Sequence, residues 1–140
     1  MKDVLMIAGI VALFSFFFPL LWSGVIYLIS YVSGWHFLAG RYRTEPLTEG
    51  FHRGVYGRIG IANYNGVLRI AFTEKGMYLH VMPLFKIGHP PLLLPWTHLK
   101  EWKESHLFFQ QVVKCKIEGI SISLPHKYLG TTQSYISAYT

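Results

Sequence analysis

Charge is what this sequence has least of. Asp, Glu, Lys and Arg make up 14% of its 140 residues, where a soluble domain carries about a quarter. Acidic residues are the scarcer sign, 7 against 13 basic, for a formal net charge of +6. Across residues 4–35 there is no Asp, Glu, Lys, Arg or His at all. Cysteine is nearly absent: Cys115 stands alone, which excludes an intrachain disulfide scaffold and is compatible with a reducing compartment. No glycine period is present and 16% of residues are aromatic, which excludes collagen-like and disordered chains. A single domain attached to a membrane is what remains.

The uncharged run explains the attachment. Crossing the hydrocarbon layer takes about 20 apolar residues at 1.5 Å each, so residues 4–35 are long enough for one crossing and too short for two. A secretory signal expects an apolar core of about 7–15 residues before a small-x-small cleavage site; this run is longer and ends in bulky residues (Trp35, Phe37). Basic residues collect on its C-terminal side, Arg41, Arg43, Arg53 and Arg58 against Lys2. The positive-inside tendency then predicts a cytoplasmic C-terminal domain on the inner membrane. Tyr27, Tyr31, Trp35 and Tyr42 are interfacial residue types, which predicts that the helix leaves the bilayer within residues 27–35. Trp35, Arg41, Tyr42, Arg43, Arg53 and Arg58 are expected at the membrane surface, with residues 35–42 as a helical turn lying on it. Residues 1–33 are thus the anchor, 34–54 a juxtamembrane connector and 55–140 a β domain.

After residue 54 the hydrophobic period changes from helical to alternating. Six strands are predicted: 55–61, 67–73, 77–85, 92–96, 107–117 and 120–124. Asn65-Gly66 reads as the first hairpin turn, because both central positions of a type I′ turn need positive φ. Glu74-Lys75-Gly76 reads as the next, with Gly76 left-handed. Pro95 assigns its strand to an edge or bulge. Gly54, Gly57 and Gly60 mark bulges or close strand packing. Glu101 and Glu104, beside Lys100 and Lys103, read as a solvated charged turn. Weak helical spacing over 125–140 predicts a short C-terminal helix. The expected fold is mainly β: a transmembrane helix, then an antiparallel sandwich or partly closed barrel.

The run Gly66-Val67-Leu68-Arg69-Ile70-Ala71-Phe72-Thr73-Glu74-Lys75-Gly76-Met77-Tyr78-Leu79, followed by Leu94-Pro95-Trp96-Thr97-His98-Leu99, resembles the bacterial PH-like or GRAM-like pattern. In that pattern a strand ends in Thr-x-x-Gly and a later strand ends in Ile-Pro-Trp-x-x-Ile. The segment from Pro83 to Leu92 also resembles a motif of small bacterial proteins with one membrane helix. The resemblance covers roughly residues 55–125 and implies seven strands, a C-terminal helix across one barrel end, and binding of lipids or protein segments rather than catalysis. No basic phosphoinositide motif matches residue by residue.

Chemistry-bearing patterns are sparse. The seven histidines include no pair at the short spacing of a metal site, so no metal or cofactor is expected. No Gly-x-Ser-x-Gly elbow or phosphate loop occurs, and Cys115 falls on an inward strand position. The chain reads as a non-enzyme. The candidate partner site is the loop 85–91: Phe85, Lys86, Ile87, His89, Pro90 and Pro91. It either grips a partner strand, dips into the lipid interface, or folds back on the core. His89 is either presented by the loop or bonded to its backbone. Expected partners are the bilayer, anionic headgroups or a membrane protein, with no nucleic acid and no small-molecule substrate identified. Two alternatives stand beside this binding module. One is a membrane-anchored hydrolase or metal enzyme using His89, His98 or His106. The other is a structural subunit whose helix packs through Ser15, Ser23, Gly24 and Ser30.

Overall fold

A computed structural model describes residues 1–107 and 109–138. Helix α1 (Lys2–Ser33) is followed after one residue by α2 (Trp35–Tyr42). Seven strands come next: β1 (His52–Ile59), β2 (Ala62–Phe72), β3 (Gly76–Val81), β4 (Leu92–Pro95), β5 (Lys100–Leu107), β6 (Gln110–Ile117) and β7 (Ile120–Pro125). Helix α3 (Leu129–Ala138) is the last element among the described residues. All strand pairs are antiparallel, in the order β4-β3-β2-β1-β7-β6-β5, and the sheet curls into a half-barrel. The expected fold class is therefore observed, with one more strand than was predicted.

The extra strand is β5. Its Lys and Glu residues suggested a turn, yet Lys103, Glu104 and Ser105 pair with Lys114, Val113 and Val112 of β6. β5 is an edge strand, and charged side chains on an edge deter pairing with other chains. The predicted strand 107–117 accordingly divides at the β5–β6 hairpin, leaving Phe109 and Gln111 exposed rather than inward. β4, with Pro95 at its end, is the opposite edge.

Two turns also differ from expectation. The β1–β2 hairpin closes at Gly60-Ile61, where Ile59 pairs with Ala62. Gly60 has φ 59°, and a Cβ there would sit 2.2 Å from the Ser33 carbonyl oxygen, so this turn is packed against the end of α1. Asn65-Gly66 instead falls in a bulge of β2: Val55 pairs with Leu68 but Gly57 with Tyr64, and Gly66 spends its positive φ of 73° there. Gly76 is not left-handed. It is required because a Cβ would meet the Leu94 carbonyl at 2.3 Å.

The half-barrel is filled by alternating strand residues such as Leu68, Ile70, Met77, Leu79, Leu94, Cys115, Ile117 and Ile122. Helices cover its openings. At one end Trp35, Leu38 and Tyr42, spaced i, i+3 and i+7, present the buried face of α2 to the core. Arg43 bridges to Leu92 of β4, and the Thr44 N–H donates to the Pro91 carbonyl. This corrects the expectation that residues 35–42 lie on the membrane: Trp35 and Tyr42 are core residues, 0% and 8% exposed. At the far end of β2, Phe72 meets Tyr128 and Trp96. There α3 stacks Tyr135 on Trp96 and donates its hydroxyl to the Phe72 carbonyl.

Burial this complete makes α2 a sensitive test. Trp35→Ala is expected to cost about 3–5 kcal/mol. Phe37→Ala, at a neighbouring position that is 54% exposed, should change stability by less than about 0.5 kcal/mol. Denaturant midpoints in detergent measure both; equal effects would place α2 outside the core.

Candidate functional site

The loop between β3 and β4 is the hub of the molecule. A 3-10 turn (Pro83–Phe85) carries it back toward α1. There the Trp22 indole N–H donates to the Leu84 carbonyl at 3.0 Å, and the Phe85 ring lies 5.2 Å from that of Trp22. Three residues on, Gly88 (φ 71°) presses so closely on Tyr27 and Ser30 that a Cβ would approach each to 2.8 Å. The Pro90 carbonyl accepts the Trp35 indole N–H at 2.9 Å. Of the six predicted loop residues, Phe85, His89, Pro90 and Pro91 therefore brace the helices against the barrel. Lys86 and Ile87 face outward, together with Leu84, 61% exposed. Trp22, Ser33, Tyr64 and Leu84 were missed by the sequence, since each acts through a contact between distant segments.

His89 shows what the loop is fastened to. It is 1% exposed; of the two alternatives for this residue, the bond to the loop backbone is the one observed. Nδ1 lies 2.9 Å from the Ile87 carbonyl and Nε2 lies 2.8 Å from the Tyr64 hydroxyl. A carbonyl only accepts, so Nδ1 carries a proton. Burial holds the imidazole below its usual range, so the ring is neutral near pH 7 and Nε2 accepts from Tyr64. The same hydroxyl shares a 3.0 Å hydrogen bond with Ser33 Oγ, which also accepts the Trp35 backbone N–H at 3.2 Å. Burial pushes the Tyr64 phenol up to about 12. The end of α1, the loop and β2 thus share one buried polar cluster, and none of its side-chain polar atoms lacks a partner.

A cleft of about 420 Å³ opens beside this brace, between α1, α2 and the loop, with Tyr27, His36, Arg43, Lys86, Gly88 and Pro90 among its lining. The other predicted surface residues disperse. Arg41 pairs with Glu118 at 2.9 Å. Arg53 packs on Phe51 near the His52–Tyr128 end of β1, and Arg58 stands at the opposite end, two residues before Gly60.

A second polar network joins α2, the segment between β4 and β5, and the β6–β7 turn. His98 Nδ1 lies 2.9 Å from the Tyr42 hydroxyl, which donates to Glu118 at 2.8 Å. That bond, with Arg41, holds the Glu118 carboxyl below its ordinary value. The adjoining cleft, about 550 Å³, mixes Lys100 and Lys116 with Glu101 and Glu118. Lys116 lies 3.7 Å from Glu101. His89, His98 and His106 do not converge on one site, and no cluster of metal-ligating side chains occurs among the described residues. Cys115 is sealed in the core, where burial pushes its thiol up to about 12.

Three outcomes follow from these environments. Tyr64→Phe leaves His89 Nε2 unmatched and takes one partner from Ser33 Oγ, and should cost about 1–3 kcal/mol. His89 and His80 both have lowered folded pKa values, so the unfolded chain takes up more protons as pH falls through about 6.5. Stability should therefore drop between pH 7.5 and 5.5, with a shallower slope in His89→Gln; denaturant midpoints at several pH values check both effects. Cys115 should resist a thiol-specific reagent until the protein unfolds, and rapid labelling of the native state would contradict its burial.

Comparison with protein-family models, with curated proteins and with solved structures finds no match for this chain.

Proposed function

We propose that this chain is a single-span membrane protein whose half-barrel is a non-catalytic binding module held at the membrane surface. One observation carries the proposal: α1 has two different halves. Residues 4–21 are exposed along their whole length, with Leu, Ile, Val and Phe side chains commonly 55–70% uncovered. In water that would be a very large apolar patch; in lipid it is an ordinary span. From Trp22 onward the helix is built into the β domain, with Ile26, Ser30 and Ser33 buried. Eighteen residues rising 1.5 Å each reach about 27 Å, close to the hydrocarbon thickness. The bilayer edge then falls near Trp22, earlier than the interfacial rings alone suggest, and Leu84 and Ile87 stand at that level.

The same division argues against a cleaved signal. Cleavage at the end of the run, after Ser33, would remove the residues that Tyr64, Gly60 and Gly88 pack against. The basic residues after the helix favour a cytoplasmic β domain. Seven antiparallel strands followed by a C-terminal helix agree with the architecture that the resemblance to bacterial PH-like or GRAM-like modules, which bind lipids or protein segments, implies. Burial of His89 and Cys115 removes two groups that an enzymatic role would use.

The protein expressed in bacteria should stay in membranes after alkaline carbonate extraction and migrate at its full 16.1 kDa. A reporter fused after Thr140 should be active only in its cytoplasmic form. A shortened, carbonate-soluble product would overturn the anchor, and a reporter active only outside would overturn the orientation.

A further inference from the structure

The structure assigns the cleft between α1, α2 and the β3–β4 loop as a binding site for the phosphate of one anionic phospholipid headgroup. The inference rests on the membrane anchoring proposed above and deepens it by naming the ligand. Three independent features of the cleft converge on it.

The first is charge. Arg43 and Lys86 both line the cleft, and no carboxylate does. The other clefts described each include at least one glutamate: Glu101 and Glu118, Glu101, Glu45 and Glu74, and Glu104. Arg43 and Lys86 form no ion pair among the described residues, whereas two of the cations beside glutamates are paired, Arg41 with Glu118 and Lys116 with Glu101. A guanidinium and an ammonium facing one hollow match a phosphate, the first by paired N–H donors and the second as a point charge.

The second is depth. Tyr27 lies five residues beyond Trp22, a rise of about 7.5 Å. The headgroup layer occupies roughly 5–7 Å on each side of the hydrocarbon. With the bilayer edge at Trp22, the cleft mouth sits at the level of the lipid phosphates. The third is shape. The hollow of about 420 Å³ accommodates a phosphoglycerol group, and its rim carries Tyr27 and His36, ring centroids 6.4 Å apart. Aromatic rings of this kind favour the interfacial zone.

The test uses the full-length protein in nanodiscs of phosphatidylcholine with added phosphatidylglycerol, followed by native mass spectrometry of retained lipid. The wild type should keep one phosphatidylglycerol. Arg43→Gln with Lys86→Gln should bind it about thirty-fold more weakly, with its denaturant midpoint unchanged. Arg53→Gln with Lys127→Gln removes the same charge near α3 and should retain the lipid. Equal losses in both double variants would mean diffuse attraction, and no loss in either would mean no site; each overturns the assignment. Displacement by millimolar inorganic phosphate would identify a soluble phosphate ligand and overturn the lipid source. Wild-type protein recovered outside the discs would sink the anchor itself, a failure distinct from the absence of bound phosphatidylglycerol in a protein that remains embedded.

Discussion

Gly34 lets one continuous helix become two elements, the first largely exposed and the second buried along one face. Its left-handed backbone (φ 92°) ends α1, its N–H is capped by the Tyr31 carbonyl, and its own carbonyl accepts the first bond of α2 from Leu38. On either side of it stand Ser33, bonded to Tyr64, and Trp35, bonded to Pro90. A bulkier residue is barred twice, by the positive φ and by Ile120, whose side chain would lie 2.6 Å from a Cβ. With that corner fixed, α2 must enter the half-barrel, and the β3–β4 loop must close over α1. The orientation of the β domain relative to α1 is therefore set by packing and not by a flexible tether.

Rigidity of this kind matters for the membrane anchoring proposed for α1. A flexible linker restricts a domain to the neighbourhood of the bilayer; a buried joint also fixes which face meets it. Here the face beside α1 carries Lys86, Arg43 and the exposed Leu84 and Ile87, whereas the charged β5 edge and α3 lie around the β sheet from it. The polar atoms inside the joint come from Ser33, Tyr64 and His89, which are mutually satisfied. Such a network favours one arrangement over alternatives, because a shifted helix would leave several buried groups unpaired.

The parts visible in the sequence are those governed by local rules. An uncharged run over residues 4–35 needs only composition to be recognised. Alternation of Ile120, Ile122 and Leu124 with Ser121 and Ser123 marks β7 directly, and Pro95 marks an edge. The parts that escaped depend on distant partners. Asn65-Gly66 carries a strong turn signal, but the turn formed at Gly60 because that glycine fits against Ser33. β5 has almost no apolar alternation because edge placement leaves much of it wet. Trp35 and Tyr42 have interfacial chemistry, yet the i, i+3, i+7 spacing with Leu38 belonged to a buried face. That His89 would turn inward depended on Tyr64, 25 residues earlier, and no local pattern encodes that distance.

The most direct test of a helix divided between lipid and protein is a spin-label accessibility scan along residues 4–33 in vesicles. Labels at 4–21 should collide with oxygen and be shielded from a water-soluble nickel reagent. From Trp22 onward, exposed positions such as Leu28 and Val32 should meet the nickel reagent, while Ile26, Ser30 and Ser33 stay protected from both. Uniform nickel accessibility through residues 4–21, or loss of protection at Ser30 and Ser33, would contradict the account.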